Sequence, residues 1–253
     1  MRTNQTERGA LPRRRGLADD VYEALKAMVM DHDIVPGARI SIDGVAADLD
    51  VSPTPVREAL ARLEADGLAV KEPLRGYRAT ALLTRRELDD LFAFRLLIEP
   101  WAAARAAERT GPDDHARLAA EVASFDDAPP AGYDRYKALT AHDARFHALV
   151  TGMSGNDNVR LAFERTHCHL HVFRLYYVKQ VGIHALAEHE RIVSAVTAGD
   201  TAGAERAMRL HLEDSRDRLR PITADPGARE AGAPPALGSP AGSWSPPGAG
   251  ADL

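Results

Sequence analysis

The sequence holds one cysteine, Cys168, in 253 residues. That excludes an internal disulfide and any zinc or iron–sulfur site built on several thiolates. Long apolar runs are missing too: nothing approaches the roughly 18 residues that a membrane-spanning helix needs. Aromatic residues make up only 6% of the chain, and the abundance of Ala, Leu and Arg leans towards helix. A positive balance is also absent, the formal net charge being −5. General stickiness towards polyanions is thereby excluded, and a nucleic-acid contact would have to come from a small basic face. The first residues include arginines but no apolar segment behind them, so no secretory signal is expected and a cytoplasmic protein is.

What is present divides into four parts. Residues 1–17 read as a disordered basic arm carrying Arg13, Arg14 and Arg15, either solvated or touching phosphate. Residues 221–253 are built largely from Pro, Gly, Ala and Ser and cannot offset their ordering entropy by burial, so disorder is expected. Between them, 18–80 and 84–220 behave differently. In the first block, Asp19 or Asp20 is placed to cap a helix carrying Val21, Leu25, Met28 and Val29. A second helix starts at Ser41 or Asp43, and a third runs from about Ser52 to Asp66, with Gly67 as its stop. Leu68–Val70 and Tyr77–Ala79 flank Pro73 and Gly76 as a hairpin. Helix, helix, helix, hairpin is the order of a winged helix-turn-helix.

The second block reads as six helices, at about 84–109, 113–126, 133–151, 158–180, 183–198 and 200–219. The breaks fall at Gly111-Pro112, Pro129-Pro130, Gly152–Asn158, Gly182 and Gly199. Pro100 should bend the first of them. Short connections make this a compact bundle. The expected fold is mainly α: an N-terminal winged helix-turn-helix with a small β-hairpin wing, then an all-α antiparallel helical bundle.

In the third helix Val56, Leu60 and Leu63 form the core stripe, and Arg57 sits about a quarter turn away near the N-terminal end. That is where a helix in the major groove meets bases, and an arginine fork can bond guanine O6 and N7 together. Ser52 and Thr54 offer hydroxyls for a cap or for phosphate. In the bundle, Asp143 and His147 are four apart and share one helix face, while His189 and His211 lie on two later helices. One carboxylate and three imidazoles suit a divalent metal such as zinc, nickel, manganese or iron; scattered surface histidines are the other reading of the same spacing. The string His167-Cys168-His169-Leu170-His171 invites a second metal site, but pocket lining or packing is the better expectation.

The run Val51 to Leu68 (VSPTPVREALARLEADGL), followed by Arg75-Gly76, resembles the signature of the GntR superfamily of bacterial transcription regulators. The resemblance implies that Ser52, Thr54 and Arg57 meet operator DNA. It also implies that Gly76 lets the wing approach the minor groove, with Arg62 and Arg75 as further contacts. The family usually has Arg between the Ser and Thr of this motif, where this chain has Pro53. Either the operator differs or Arg39, Arg62 or Arg75 compensates. Residues 84–216 are similar to the all-helical FCD effector domain of the FadR-type subfamily. Its metal-binding pattern is matched by Asp143, His147, His189 (in Glu188-His189-Glu190-Arg191-Ile192) and His211 (in Met208-Arg209-Leu210-His211). Arg95 matches an arginine that implies an effector carboxylate; the bland reading is an ion pair with Glu99.

The expected function is thus a homodimeric, sequence-specific transcription regulator, a repressor, that binds double-stranded operator DNA. A small carboxylate effector in a metal-containing domain, with zinc as the first expectation, would tune it. It is not expected to be an enzyme or to involve a membrane. The alternative from another class is a metal-dependent hydrolase carrying a DNA module, although no H-E-x-x-H spacing supports it. Residues 1–80 carry twelve basic and thirteen acidic side chains, so binding must rest on positioned arginines. Operator affinity should therefore fall with salt on a moderate slope, reflecting a few phosphate contacts per protomer. Titration of a duplex at several salt concentrations measures it, and a flat profile would contradict this origin of affinity.

Overall fold

The computed structural model describes residues 16–125, 132–176 and 184–223. The arginine run at 13–15, the Pro129-Pro130 break, Gly182 and the tail from residue 224 lie outside the described residues. The N-terminal block holds α1 (Leu17–Met30), β1 (Arg39–Ile40), α2 (Ile42–Asp48), α3 (Pro53–Ala65), β2 (Ala69–Glu72) and β3 (Gly76–Ala79). The sheet order is β1-β3-β2, antiparallel throughout, with Ile40 opposite Tyr77 and Glu72 opposite Gly76. The hairpin has thus gained a third strand. Two residues are too few for a periodic signal, and pairing with β3 alone defines β1.

Caps set the boundaries. Ser41 begins α2 by accepting the Gly44 N–H at 3.1 Å. The expected cap at Asp19 or Asp20 is displaced: α1 starts after Gly16, and Asp19 reaches back to accept the Gly16 N–H at 3.3 Å. Gly67 takes φ +72° just past α3, as a helix stop requires. Val21, Leu25 and Val29 of α1, Val56, Leu60 and Leu63 of α3, and Tyr77 and Ala79 of β3 form the head's core. Tyr22 and Arg62 fasten α1 to α3: the guanidinium lies 3.9 Å over the ring and donates to Asp19 at 2.6 Å, while the phenol bonds Asp66.

The second block comprises α4 (Arg85–Arg109), α5 (Pro112–Ala123), α6 (Gly132–Met153), α7 (Asp157–Arg165), α8 (Cys168–Tyr176), α9 (His184–Thr197) and α10 (Thr201–Leu219). Thr84 and Glu87 form a capping box at the start of α4, which runs on through Pro100. α4 packs against α6, α9 and α10. Leu88, Phe92, Phe146, Val150, Phe173, Ile192, Met208 and Leu212 build the bundle core.

Two expectations need correction. The helix expected at 158–180 is two helices, α7 and α8. His167 turns the chain at φ +44°, and Thr166 Oγ1 accepts the Cys168 N–H at 3.2 Å. Order also continues beyond residue 220, as a short 3-10 turn over Arg220–Ile222, where Arg220 donates to Asp89 at 2.8 Å.

The break at His167 matters because it lets α8 serve both blocks. Leu170 is buried in the head's core, while Val172, Phe173 and Leu175 are buried in the bundle's. Arg174, 1% exposed, donates to the Thr80 hydroxyl (2.9 Å) and carbonyl (2.7 Å). Burial lowers its pKa to about 10. Leu170→Ala should cost about 2–5 kcal/mol, as truncation of a packed leucine does. It should also split thermal unfolding into separate head and bundle transitions. Calorimetry and urea denaturation decide this, and an unchanged profile would show that the shared helix does not tie the blocks.

Candidate metal centre and DNA-reading face

The bundle brings together all four residues singled out by spacing. One ligand atom from each of Asp143, His147, His189 and His211 lies within 4.8 Å of the others. The three imidazoles are essentially buried, whereas the Asp143 side chain keeps 16% exposure. α6 supplies Asp143 and His147 one turn apart, α9 supplies His189 and α10 supplies His211. His147 Nε2 stands 3.2 Å from His211 Nε2 and 3.7 Å from Asp143 Oδ1, which is 3.6 Å from His189 Nε2. Two metal bonds of about 2.1 Å at a tetrahedral angle put donor atoms about 3.4 Å apart. His189 Nε2 is buried without a hydrogen-bond partner among the described residues, in a place where such an orphan is otherwise expensive. The donor set and its spacing fit a divalent cation.

A second ring, which the sequence reading did not assign, orients these imidazoles. His147 Nδ1 lies 2.5 Å from Glu99 Oε2, and His211 Nδ1 lies 2.7 Å from Glu188 Oε2. His189 Nδ1 meets His142 Nε2 at 2.9 Å, and His142 Nδ1 meets Glu121 Oε1 at 3.0 Å. A carboxylate accepts only N–H, so these bonds place the protons on the Nδ1 side and leave each Nε2 bare. Glu99, Glu188 and His142 each stand close in sequence to a residue already chosen, but nothing in the sequence marks them as partners of the imidazoles they orient.

Electrostatics follow from the packing. Burial alone would raise Glu99, but Arg95 and then His147 hold it down to about 2. Burial would also raise Glu188, yet hydrogen bonds from His211 and Arg218 hold it at about 2. Asp143 is lower still, because His147 and His189 outweigh its desolvation. Burial pushes His189 and His211 down. In His147 the same burial is overcome by Glu99 and Asp143, which raise it.

Of the two expectations held for Arg95, the structure shows the ion pair with Glu99. Its Nε donates to Glu99 at 2.5 Å, and the residue also lines a narrow cleft with Asp143, Val172, Phe173, His211 and Ser215. That cleft has room for little more than one water. The 167–171 string forms no second ligand group among the described residues. Cys168 and Leu170 are buried, and His171 lies against Gly67.

On the head, Ser52, Thr54, Arg57, Arg62, Arg75 and Gly76 are all exposed. Ser52 occupies the N-cap of α3 without making a side-chain cap bond, which leaves its hydroxyl directed elsewhere. Pro53 fills the first helical position, where a missing N–H costs nothing. Arg57 makes no ion pair among the described residues. Arg62 lies about 140° further round the helix and is engaged by Asp19 and Tyr22. Arg39 Nη2 donates to the Arg75 carbonyl at 3.2 Å, so it braces the wing. Gly76, at φ +85°, has open space where a Cβ would stand.

Comparison with known proteins covers both blocks. Residues 17–78 match the model described as "Bacterial regulatory proteins, gntR family", and residues 90–214 match the FCD domain. The chain is 24% identical to the uncharacterized HTH-type transcriptional regulator YdhC of Bacillus subtilis, over 79% of this chain and 90% of that protein. It is 25% identical to the HTH-type transcriptional repressor GlaR of Escherichia coli, over 76% and 91% respectively. The structure of E. coli McbR/YncC superposes with a TM-score of 0.64 at 21% identity, over 81% of this chain and 98% of that one. No helix among the described residues is long and apolar enough to cross a membrane.

The two depressed glutamates carry a pH signature. A folded pKa of about 2 against an ordinary 4.5 gives stability that is complete above pH 4.5 and lost as the pH falls through that value towards 2. The stability of chelator-treated protein against denaturant should therefore fall over that window. Glu188→Gln should weaken less steeply than the wild type, and parallel slopes would mean that Glu188 is not held down in the fold.

Proposed function

Because this chain belongs to the gntR family of bacterial regulatory proteins and is a DNA-binding transcription regulator with an FCD domain, we propose that it is a metabolite-responsive repressor. Its operator affinity is set by a small carboxylate bound beside a divalent metal in the bundle. The observation that carries this reading is the convergence of Asp143 and three Nε2 lone pairs, each imidazole fixed from behind by a carboxylate or by the His142–Glu121 relay. Zinc suits three imidazoles and one carboxylate best, with nickel, manganese and iron compatible. Such an ion, held by Asp143, His147, His189 and His211, would supply a Lewis-acid anchor, and a coordination sphere larger than four would admit a carboxylate oxygen. Arg95, pre-aimed by Glu99 at the edge of the cleft, supplies the second contact to that carboxylate.

At the other end, α3 enters the major groove with Arg57 on base edges and Ser52 and Thr54 on phosphate, while Arg75 and Gly76 bring the wing to the minor groove. The exposed Leu97 and Trp101 of α4, with the exposed Leu161 of α7, a helix that packs on α4, supply the apolar face on which two copies pair. A two-fold dimer then presents two heads to a two-fold operator. The role as repressor follows the GlaR likeness, and a chain working on chromosomal DNA in a bacterium is cytoplasmic. No catalytic step is assigned to it.

Coupling runs through α8. An effector too large for the cleft must displace Val172 or Phe173, whose helix also carries Leu170 in the head and Arg174 on Thr80. The ligand's preference for the widened arrangement then shifts the population of head positions.

Elemental analysis of purified protein should find one divalent ion per protomer, lost in His189→Ala. A panel of small carboxylates should raise the melting temperature of the metal-loaded protein only. Arg57→Ala should weaken binding of a selected duplex by about 1–3 kcal/mol without changing metal content. A wild-type protein that retains no metal would remove the effector half of this reading, and an Arg57→Ala variant with full affinity would remove the DNA half.

A further inference from the structure

The tip of the wing sets its sequence against its geometry. Glu72, Pro73, Leu74 and Arg75 close on a hydrogen bond from the Arg75 N–H to the Glu72 carbonyl at 3.0 Å. Proline second and a positive φ third is the pattern of a type II turn, whose third position favours glycine or asparagine. That position is held by Leu74 at φ +61°, a conformation that L residues with bulky side chains avoid. Burial offers no compensation, because Leu74 is wholly exposed at 108%. Conformation and solvation both oppose a leucine here. Strain of this kind at a ligand-facing site points to a use.

The tip is also braced. Arg39 Nη2 holds the Arg75 carbonyl at 3.2 Å, Arg78 Nε pairs with Glu72 Oε1 at 3.1 Å, and Gly76 pairs with Glu72 in the ladder. Leu74 therefore projects from a fixed finger. Arg75 follows it directly and Lys71 stands three residues before it, both exposed, while Arg39 and Arg78 lie on the paired strands and Glu72 is the single acid of the hairpin. An apolar knob set among cations does not suit a hydrophobic protein groove. It suits a polyanion with an apolar interior, and duplex DNA seen from the minor groove has that character: phosphates at the rim, sugars and stacked bases within.

We infer that Leu74 is an apolar wedge that enters the minor groove beside the site read by α3 and partly unstacks one base step. Arg75 and Lys71 hold the flanking phosphates while it does so. Side chains of this type bend duplexes by insertion. The energy of bending depends on the step being opened, so Leu74 reads deformability rather than base edges and favours flexible pyrimidine–purine steps at the flank. This inference rests on the DNA-binding reading above and adds a specificity-determining residue to it.

The test uses the full-length protein and a duplex recovered from a randomised library by the wild type, with 2-aminopurine placed at successive flanking positions. Wild-type binding should raise the fluorescence at one flank. Leu74→Asn, which suits the turn better, should melt at a higher temperature than wild type. It should nevertheless bind the duplex about tenfold more weakly and give no fluorescence rise, while Leu74→Met keeps most of both. Undiminished affinity and fluorescence in Leu74→Asn would overturn the wedge. So would a lower melting temperature, which would place Leu74 in contact with the folded chain. If Leu74→Asn is neutral while Arg57→Ala binds poorly, only the wedge fails. If both are neutral, the reading of α3 fails with it.

Discussion

An imidazole near neutral pH has two nitrogens and one proton, and whatever claims the proton decides which nitrogen stays bare. In this bundle three glutamates make that decision. Glu99 and Glu188 take the Nδ1 protons of His147 and His211 directly, and Glu121 acts on His189 through His142. Each glutamate has its own arginine: Arg95 on Glu99, Arg218 on Glu188 and Arg145 on Glu121. The outer charges are thus balanced in pairs, which is the condition for keeping carboxylates in a dry interior. The inner charges are not. Asp143 and three Nε2 atoms face one another across less than 5 Å, an arrangement that a cation relieves and that protonation of His147, favoured by Glu99 and Asp143, relieves in part.

The same pairing bears on the proposed effector site. Arg95 is fixed from one side by Glu99, so its remaining donors are presented to the cleft without an entropy cost on binding. The cleft itself is nearly closed by Val172 and Phe173. Those residues stand on a helix whose other face is buried in the head. A side chain in a close-packed core cannot be displaced by a fraction of an ångström without its neighbours responding. Arg174, fully buried and bonded twice to Thr80, makes α8 stiff at the point where slack would absorb the motion. Coupling energies of about 1–3 kcal/mol are common between such sites. A rearranged leucine contact and a weakened pair of hydrogen bonds at this junction are of that size.

Much of this was legible in the chain itself. The winged helix order followed from caps and breaks, and Asp143, His147, His189 and His211 followed from spacing together with the family pattern. The misses share a cause. β1 and the break between α7 and α8 are set by tertiary contacts and by one left-handed residue, His167, and no local periodicity encodes either. Glu99, Glu188 and His142 are distant from their partners along the chain, by 48, 23 and 47 residues. Such positions become visible as an outer ring only when the helices are assembled. Arg62 shows the converse: the motif groups it with Arg57, yet five residues along a helix turns it away from that face and onto α1.

Pro53 brings these threads to the reading head. Where the family pattern has an arginine, this chain has a residue that can neither donate a hydrogen bond nor carry charge. It gains a preorganised first turn for α3 in exchange. Arg62 and Arg39, both exposed, already have partners within the head, Asp19 and the Arg75 carbonyl. Among the described residues, Arg57 is an exposed arginine of α3 without an ion pair, and Lys71, Leu74 and Arg75 are exposed at the wing. On the proposed reading, with a phosphate contact removed, a larger share of discrimination would come from base edges at Arg57 and from the shape of the duplex under the wing. A head that reads more by bases and bending, and less by charge, is consistent with a block whose acidic side chains outnumber its basic ones.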